Sequence, residues 1–332
     1  MTETSPLLEA QQKYLDTVLA RALDAEQCEL GETLGRTLYA NFTAPEDAPP
    51  YHRAIVEGFL VHTEETQGAS QEQPASFRIV GQVNPGDENC PEFGAGEAIE
   101  VATGSILPDG PVSIVRMWEA QRDGDHFTIS RPFPPRFFIE EQGCDIEKGS
   151  VVIEAGTVLQ PEHLGTIASL GVDRVEVSRQ ANVSIFSSGD EVIPHTAPLK
   201  PGSIRDCNAV QLSAAVAQAG GKPQFCGIMA DDFDAFAAVL QEVLEESDMI
   251  VISGGTAVGG RDFVSDLIRE VGELIIDGVP MRSGRPLIMG MARGKPIIAV
   301  AGHPPEALRG FRLFGEPALR KLMGQAVSPP QD

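Results

Sequence analysis

Met249-Ile250-Val251-Ile252-Ser253-Gly254-Gly255-Thr256-Ala257-Val258-Gly259-Gly260-Arg261-Asp262 is the stretch that decides the fold. An apolar run enters a loop that holds four glycines and closes on a carboxylate, and Phe263 to Val271 follows with helix-like spacing. A short apolar run bounded by glycines reads as a strand buried on both faces. A glycine-rich turn between such a strand and a helix start lets backbone N–H groups converge on an anion. Glycine permits left-handed backbone angles and close approach of a ligand. The terminal Asp262 is out of place in a bare phosphate cradle, so the loop points to an anion handled together with a cation.

Working outward, strands and helices alternate from Asn182 onward. Val183-Ser184-Ile185-Phe186 reads as a buried strand. Asn208 is placed to cap a helix running to Ala219, stopped by Gly220-Gly221. Gln224 to Met229 is the next strand, and Asp232 caps a helix that carries Phe236, Val239, Leu240, Val243 and Leu244 on one face. Leu287 to Met291 and Pro296 to Val300 complete the strands, and a helix with Leu308, Phe311 and Leu319 closes the chain. Repeated β–α units imply a largely parallel sheet with helices on both faces, and ligands of such sheets sit at the carboxyl ends of the strands. Four polar or glycine-rich loops follow strands here: Ser187 to Glu191, Met229 to Asp232, the opening loop, and Ala301 to Pro305. On parallel neighbours they share one edge, which brings Glu191, Asp231 and Asp262 together near the glycines. Carboxylates beside a phosphate repel it unless a hard divalent ion such as magnesium bridges them. Arg282 and Arg285 suit bidentate contacts to an oxyanion. Asp231 also reads as a helix cap, Asp232 reads as a cap before anything else, and His303 reads as a surface or packed histidine more readily than as a ligand.

The N-terminal half differs. Leu7 to Leu23 has helical periodicity through Leu8, Tyr14, Leu15, Val18, Leu19 and Ala22. Thr43 to Tyr51 is a proline-rich loop. Ser76 to Val80, Val112 to Val115 and His126 to Ile129 are strand-like between turn signals, which suggests an inserted β domain. Pro161 to Leu170 reads as a short helix.

The chain's 332 residues leave room for two or three domains. Its 25 Lys and Arg against 48 Asp and Glu give a net charge of -23, which argues against nucleic acid or an anionic membrane as partner. The five cysteines, Cys28, Cys90, Cys144, Cys207 and Cys226, form no C-x-x-C pair, so neither a zinc site nor a disulfide framework is expected. Dispersed thiols and an N-terminus with no signal-peptide character fit the cytoplasm. No apolar stretch reaches the length of a membrane span.

Taken in order, these motifs resemble a family. Ser188-Gly189-Asp190-Glu191, Gly202 to Asn208, Asp248 to Gly255, Asp262 and Gly302-His303-Pro304 are similar to segments of the molybdopterin molybdenumtransferases of the MoeA/gephyrin type. Upstream, Asp47 to Tyr51 with Glu57-Gly58-Phe59 resembles the family's proline loop and Asp-Gly-Tyr motif. Ala102 to Ser105 resembles its Thr-Gly-Ala loop, and Gly143 to Ile146 its Gly-Glu-Asp-Ile segment. The resemblance implies an α/β plus β protein: a three-layer α/β molybdopterin-binding domain of the MoaB/MogA kind, with an inserted β-rich domain and an N-terminal helical linker domain. The expected boundaries are 1–26 and 142–177 for the linker domain, 27–141 for the inserted domain and 178–324 for the α/β domain. Residues 325–332 are expected to be a disordered tail, and the family's usual C-terminal β domain is expected to be lacking.

The same resemblance implies a function, the insertion of molybdate into adenylylated molybdopterin with release of AMP. It implies a homodimer, magnesium, and a molybdoenzyme or other cofactor-biosynthesis protein as a further partner. Carried over residue by residue, Glu191, Asp231 and Asp262 would hold the metal and serve catalysis. Gly254 and Gly255 would cradle phosphate with Ser253 and Thr256, while Ser188, Gly189, Asp190, Asn208, Gly302 and His303 would contact the cofactor. Arg282 and Arg285 would bind oxyanions, and Thr103 and Glu57 would line the far wall. Several positions depart from the family pattern: Glu57 for Asp, Ala54 and Ala257 for Ser, Gly260 for an acidic residue, Ala230 for Arg, and Ala301-Gly302-His303-Pro304 for Pro-Gly-Asn-Pro. These keep a second reading open, a non-catalytic carrier, sensor or assembly factor for molybdopterin or its finished cofactor. A third is a nucleotide pyrophosphatase of the competence-damage type.

Overall fold

A computed structural model describes residues 6–20, 23–255, 263–279 and 287–327. The chain divides into two compact units, one formed by 1–41, 154–165 and 173–332, the other by 42–153 and 166–172.

The first unit is built on a six-stranded sheet. Its strands are β1 (Asn182–Ser188), β2 (Lys222–Met229), β3 (Met249–Ser253), β4 (Glu273–Asp277), β5 (Ile288–Ala292) and β6 (Lys295–Val300). They stand in the order β2-β1-β3-β6-β5-β4. β1 runs parallel to β2 and β3, and β3 parallel to β6, while β5 runs against β4 and β6. Alternation along β3 shows why the sheet is central: Met249 and Val251 join one core, Ile250 and Ile252 the other, all fully buried. One face is covered by Pro6–Thr17, Asn208–Gln218, Pro304–Gly310 and Glu316–Leu322, the other by Phe233–Val243 and Phe263–Val271. The expected three-layer, largely parallel arrangement is therefore present.

The N-terminal helix ends at Thr17, six residues before the periodicity does, and Leu19 beyond it is 63% exposed. Its anchor is Tyr14, fully buried, whose hydroxyl donates to Ile297 O at 3.2 Å. Asn208 is not the cap expected of it. Cys207 takes the cap position, and Asp206 Oδ1 accepts the Ala209 N–H at 3.0 Å. Asp232 does cap its helix, accepting from the Ala235 N–H.

A bidentate pair ties the entry of β1 to the entry of β3. Arg179 donates from Nη1 and Nη2 to Asp248 at 2.8 and 2.9 Å, and the Asn182 N–H donates to the same carboxylate at 2.7 Å. The side chains are 32% and 14% exposed. Asp248→Ala leaves Arg179 and an amide without their acceptor, and is expected to destabilise by about 2 kcal/mol, less than for a fully buried pair. Urea denaturation measures it, and an unchanged midpoint refutes the role.

The second unit is β-rich. Its sheet follows the order Val112–Arg116, Gly58–His62, Glu97–Val101, Ala75–Val83, His126–Ile129, Gln121–Asp123. Every pairing is antiparallel except that of Ala75–Val83 with Glu97–Val101. Leu60, Ile99 and Ile114 fill one core, and Phe59, Phe77 and Phe127 stack in the other, with Phe59 and Phe127 centroids 4.3 Å apart. Glu119 accepts from Arg116 Nε at 2.8 Å and from Arg131, which push its carboxyl down to about 2. A carboxyl depressed on folding stabilises above its ordinary value of 4.5, and that stabilisation is lost as pH falls toward 2. Glu119→Gln should therefore cost about 1–3 kcal/mol at neutral pH and nearly nothing at pH 2. Denaturation at a series of pH values tests this, and a gap that stays constant below pH 4 contradicts it.

Candidate functional site

The carboxyl ends of β1, β2, β3 and β6 lie on one edge of the parallel part of the sheet. The chain leaves β1 toward β2 on one side and returns to β3 on the other, so the β1/β3 boundary is the switch point where such sheets bind ligands. An open cavity of about 450 Å³ lies there. Ser188 and Gly189 line it from the end of β1, Asp231 from beyond β2, Ser253, Gly254 and Gly255 from β3, and Gly302 and Pro304 from beyond β6. Asp206, Cys207 and Asn208 close it from the start of the Asn208–Gln218 helix.

The glycines are required by geometry. Gly254 and Gly255 have φ of +91° and +69°. A Cβ on Gly254 would lie 2.4 Å from the Ser188 carbonyl oxygen, and one on Gly255 2.9 Å from Val264 Cγ2. The β3 turn therefore packs directly on the end of β1. Side-chain bonds fix its surroundings. Asn208 Nδ2 donates to Ser253 Oγ at 2.6 Å and to Gly302 O at 2.8 Å, tying two of the loops to the helix start. Gln211 Nε2 in turn donates to Asn208 Oδ1 at 2.8 Å. Ser188 Oγ donates to Asp231 Oδ1 at 3.1 Å, linking the β1 and β2 loops.

Of the residues expected from the sequence, Ser188, Gly189, Glu191, Asn208, Asp231, Ser253, Gly254, Gly255 and Gly302 line this one cavity. Asp190 faces an adjoining cavity and accepts the Asp231 N–H at 3.4 Å. His303 is exposed at the cap position of the Pro304–Gly310 helix and is not among the lining residues. Glu57 and Thr103 are exposed in the β-rich unit, where Glu57 borders a small cavity of about 150 Å³ with Gln82 and Asn84. Asp262, Thr256, Arg282 and Arg285 lie outside the described residues.

Sequence reasoning passed over Arg205, Asp206 and Cys207 as lining residues. Their signal was a polar run directly before a helical one, which reads as a capping segment. Arg205 is the cation among the described lining residues, set against the carboxylates of Glu191, Asp206 and Asp231. Two of those carboxylates, Glu191 and Asp231, are hard oxygen donors of the kind magnesium takes, beside a backbone turn fit for phosphate. Among the described residues the one tight cluster of metal-type ligands is elsewhere: Glu140, Cys144 and Asp145 in the β-rich unit, where Glu140 is already paired to Arg53.

A parallel α/β domain with a glycine turn and carboxylates at its switch point is of the class that binds its ligand at the carboxyl edge of the sheet. The comparisons narrow it. Residues 184–321 match the family described as a probable molybdopterin binding domain, and residues 5–171 match the MoeA N-terminal region, domains I and II. The chain belongs to the MoeA family. A molybdopterin molybdenumtransferase of Staphylococcus aureus is 27% identical over 327 residues, 98% of this chain and 78% of that protein. One from Staphylococcus epidermidis is 27% identical over 303 residues, 91% and 72%. Crystal structures of the molybdopterin biosynthesis moeA protein from Pyrococcus horikoshii superpose with TM-scores of 0.84 and 0.83 at 30% and 28% identity. They cover 97% of this chain and 81% and 80% of theirs. Among the described residues no helix is long and apolar enough to cross a membrane.

Proposed function

We propose that the chain acts in molybdenum cofactor biosynthesis, inserting molybdate into adenylylated molybdopterin with release of AMP. The observation that carries this reading is the Gly254–Gly255 turn seated on Ser188, with Glu191 and Asp231 on the same cavity. The turn offers backbone N–H groups to a phosphate, and Asn208 holds it in register by its bond to Ser253. Asp231, positioned by Ser188, and Glu191 would hold magnesium together with Asp262. The ion supplies the positive charge that lets a phosphate sit among carboxylates. Arg205 adds a fixed cation at the rim, and Arg282 and Arg285 are the further oxyanion ligands of the proposal. Asp190 positions the Asp231 backbone, and His303, Gly302, Gly189, Ser253 and Thr256 complete the nucleotide and pterin contacts.

The reading extends to a cytoplasmic homodimer in which the β-rich unit of one chain brings Glu57 and Thr103 to its partner's cavity, with a molybdoenzyme receiving the product. Support for it is that both side chains are exposed in the β-rich unit.

The test is magnesium-dependent AMP release from adenylylated molybdopterin in the presence of molybdate. Turnover no higher than that of a Glu191→Gln variant sinks the assignment. Light scattering settles the oligomeric state independently.

A further inference from the structure

Asp206 carries a role that capping alone does not explain. The residue is 5% exposed and lines the cavity. Its Oδ1 is used up on the Ala209 N–H, but its Oδ2 is buried and has no hydrogen-bond partner among the described residues. Ser187 repeats the pattern on the opposite element: 2% exposed, at the end of β1, lining the same cavity, with an unpartnered Oγ. Other buried polar groups of this wall are satisfied, Asn208 by three partners and Ser188 by Asp231. A buried carboxylate oxygen without a donor is costly, and a ligand in this cavity that brings N–H groups to Asp206 would remove that cost.

We propose that Asp206 is a specificity residue whose free carboxylate oxygen accepts from the lactam N–H and exocyclic amine of a pterin ring. The proposal rests on the reading of the cavity given above. The proposed magnesium is assigned to Glu191 and Asp231 and the phosphate to the glycine turn, so at Asp206 no ion offsets the carboxylate charge and a neutral donor fits better than phosphate. A pterin offers adjacent N–H donors along one edge, the complement of a carboxylate. A site built around such a contact rejects a ring that lacks the donor, since its own acceptor is then left unpaired.

Asp206→Asn is the informative change. The amide oxygen still accepts from Ala209 and keeps the helix start, so the amide nitrogen takes the place of Oδ2 and meets the ring's donors with a donor. Fluorescence titration of the full chain with pterin and calorimetry with AMP are the readouts. The expected result is at least about tenfold weaker pterin binding, with AMP affinity and unfolding midpoint held. A second measurement does not depend on the variant folding: the wild type should bind 3-methylpterin about tenfold more weakly than pterin. Equal pterin affinity in the variant and wild type overturns the assignment, as does equal affinity of the wild type for the two pterins. Weakened AMP binding with pterin unaffected moves the carboxylate to the nucleotide and overturns it too. A wild type that binds neither probe overturns the function proposed for the cavity, a different failure from loss of the Asp206 contact.

Discussion

Gly254→Ala is expected to remove AMP and pterin binding together and to cost about 2–5 kcal/mol of stability. Two penalties combine. The residue sits at φ +91°, where a side chain strains the backbone by about 1–2 kcal/mol. The new methyl would also stand 2.4 Å from the Ser188 carbonyl oxygen, a main-chain atom that no rotamer change moves aside. Overpacking of that kind costs about 1–3 kcal/mol more. Relief requires β1 and β3 to separate at their carboxyl ends, which displaces Ser188 and with it the 3.1 Å bond to Asp231. The site is therefore lost even where the fold survives. Gly294→Ala is the control: its φ of +76° carries the same strain, but nothing lies within 4 Å of the added methyl. It should lower stability by about 1 kcal/mol and leave ligand binding alone. Calorimetric titration with AMP separates the two variants, and wild-type affinity in Gly254→Ala refutes the cradle.

The same contact explains what the sequence could reveal. β1, β3 and β6 are short apolar runs because both of their faces are buried, and such runs are visible without any knowledge of their neighbours. The glycine turn is visible because its backbone angles and its close approach to Ser188 both exclude side chains. Asn208 was misread for the opposite reason. An asparagine before a helical run signals a cap when only local bonds are considered. Here the acceptors that claim its amide, Ser253 Oγ and Gly302 O, lie 45 and 94 residues away. Asp206, which takes over the capping bond, stands in a polar run that reads as a capping segment, and its burial is set by the domain around it rather than by that run. The early end of the first helix is similar: beyond Thr17, Val18 and Leu23 still reach the core while Leu19 is exposed, so the apolar spacing outlasts the helix itself. The polar residues that line the cavity are legible by type, and their convergence becomes legible only through the strand order.

Glu191→Gln is expected to lower magnesium-dependent AMP release by about a hundredfold or more, with stability unchanged. The side chain is exposed, so replacing its charge by an amide of the same size disturbs no core. What changes is the field in the cavity. The described wall sets Arg205 against Glu191, Asp206 and Asp231, and the proposed ion is held by the first and last of these acids. Removing one charged ligand weakens the ion, and the remaining carboxylates then repel the incoming phosphate. Asp231→Asn should act in the same direction. Its amide oxygen still accepts from Ser188 Oγ, so the loop stays in place and the loss reads the charge alone. If both acids serve one ion, the double variant falls little below either single one, because the first substitution already removes the shared function. Independent roles would instead multiply the two losses. Titrating magnesium against AMP release decides between these outcomes: a raised magnesium requirement in each single variant supports a shared ion, and an unchanged requirement in Glu191→Gln removes this residue from the metal site.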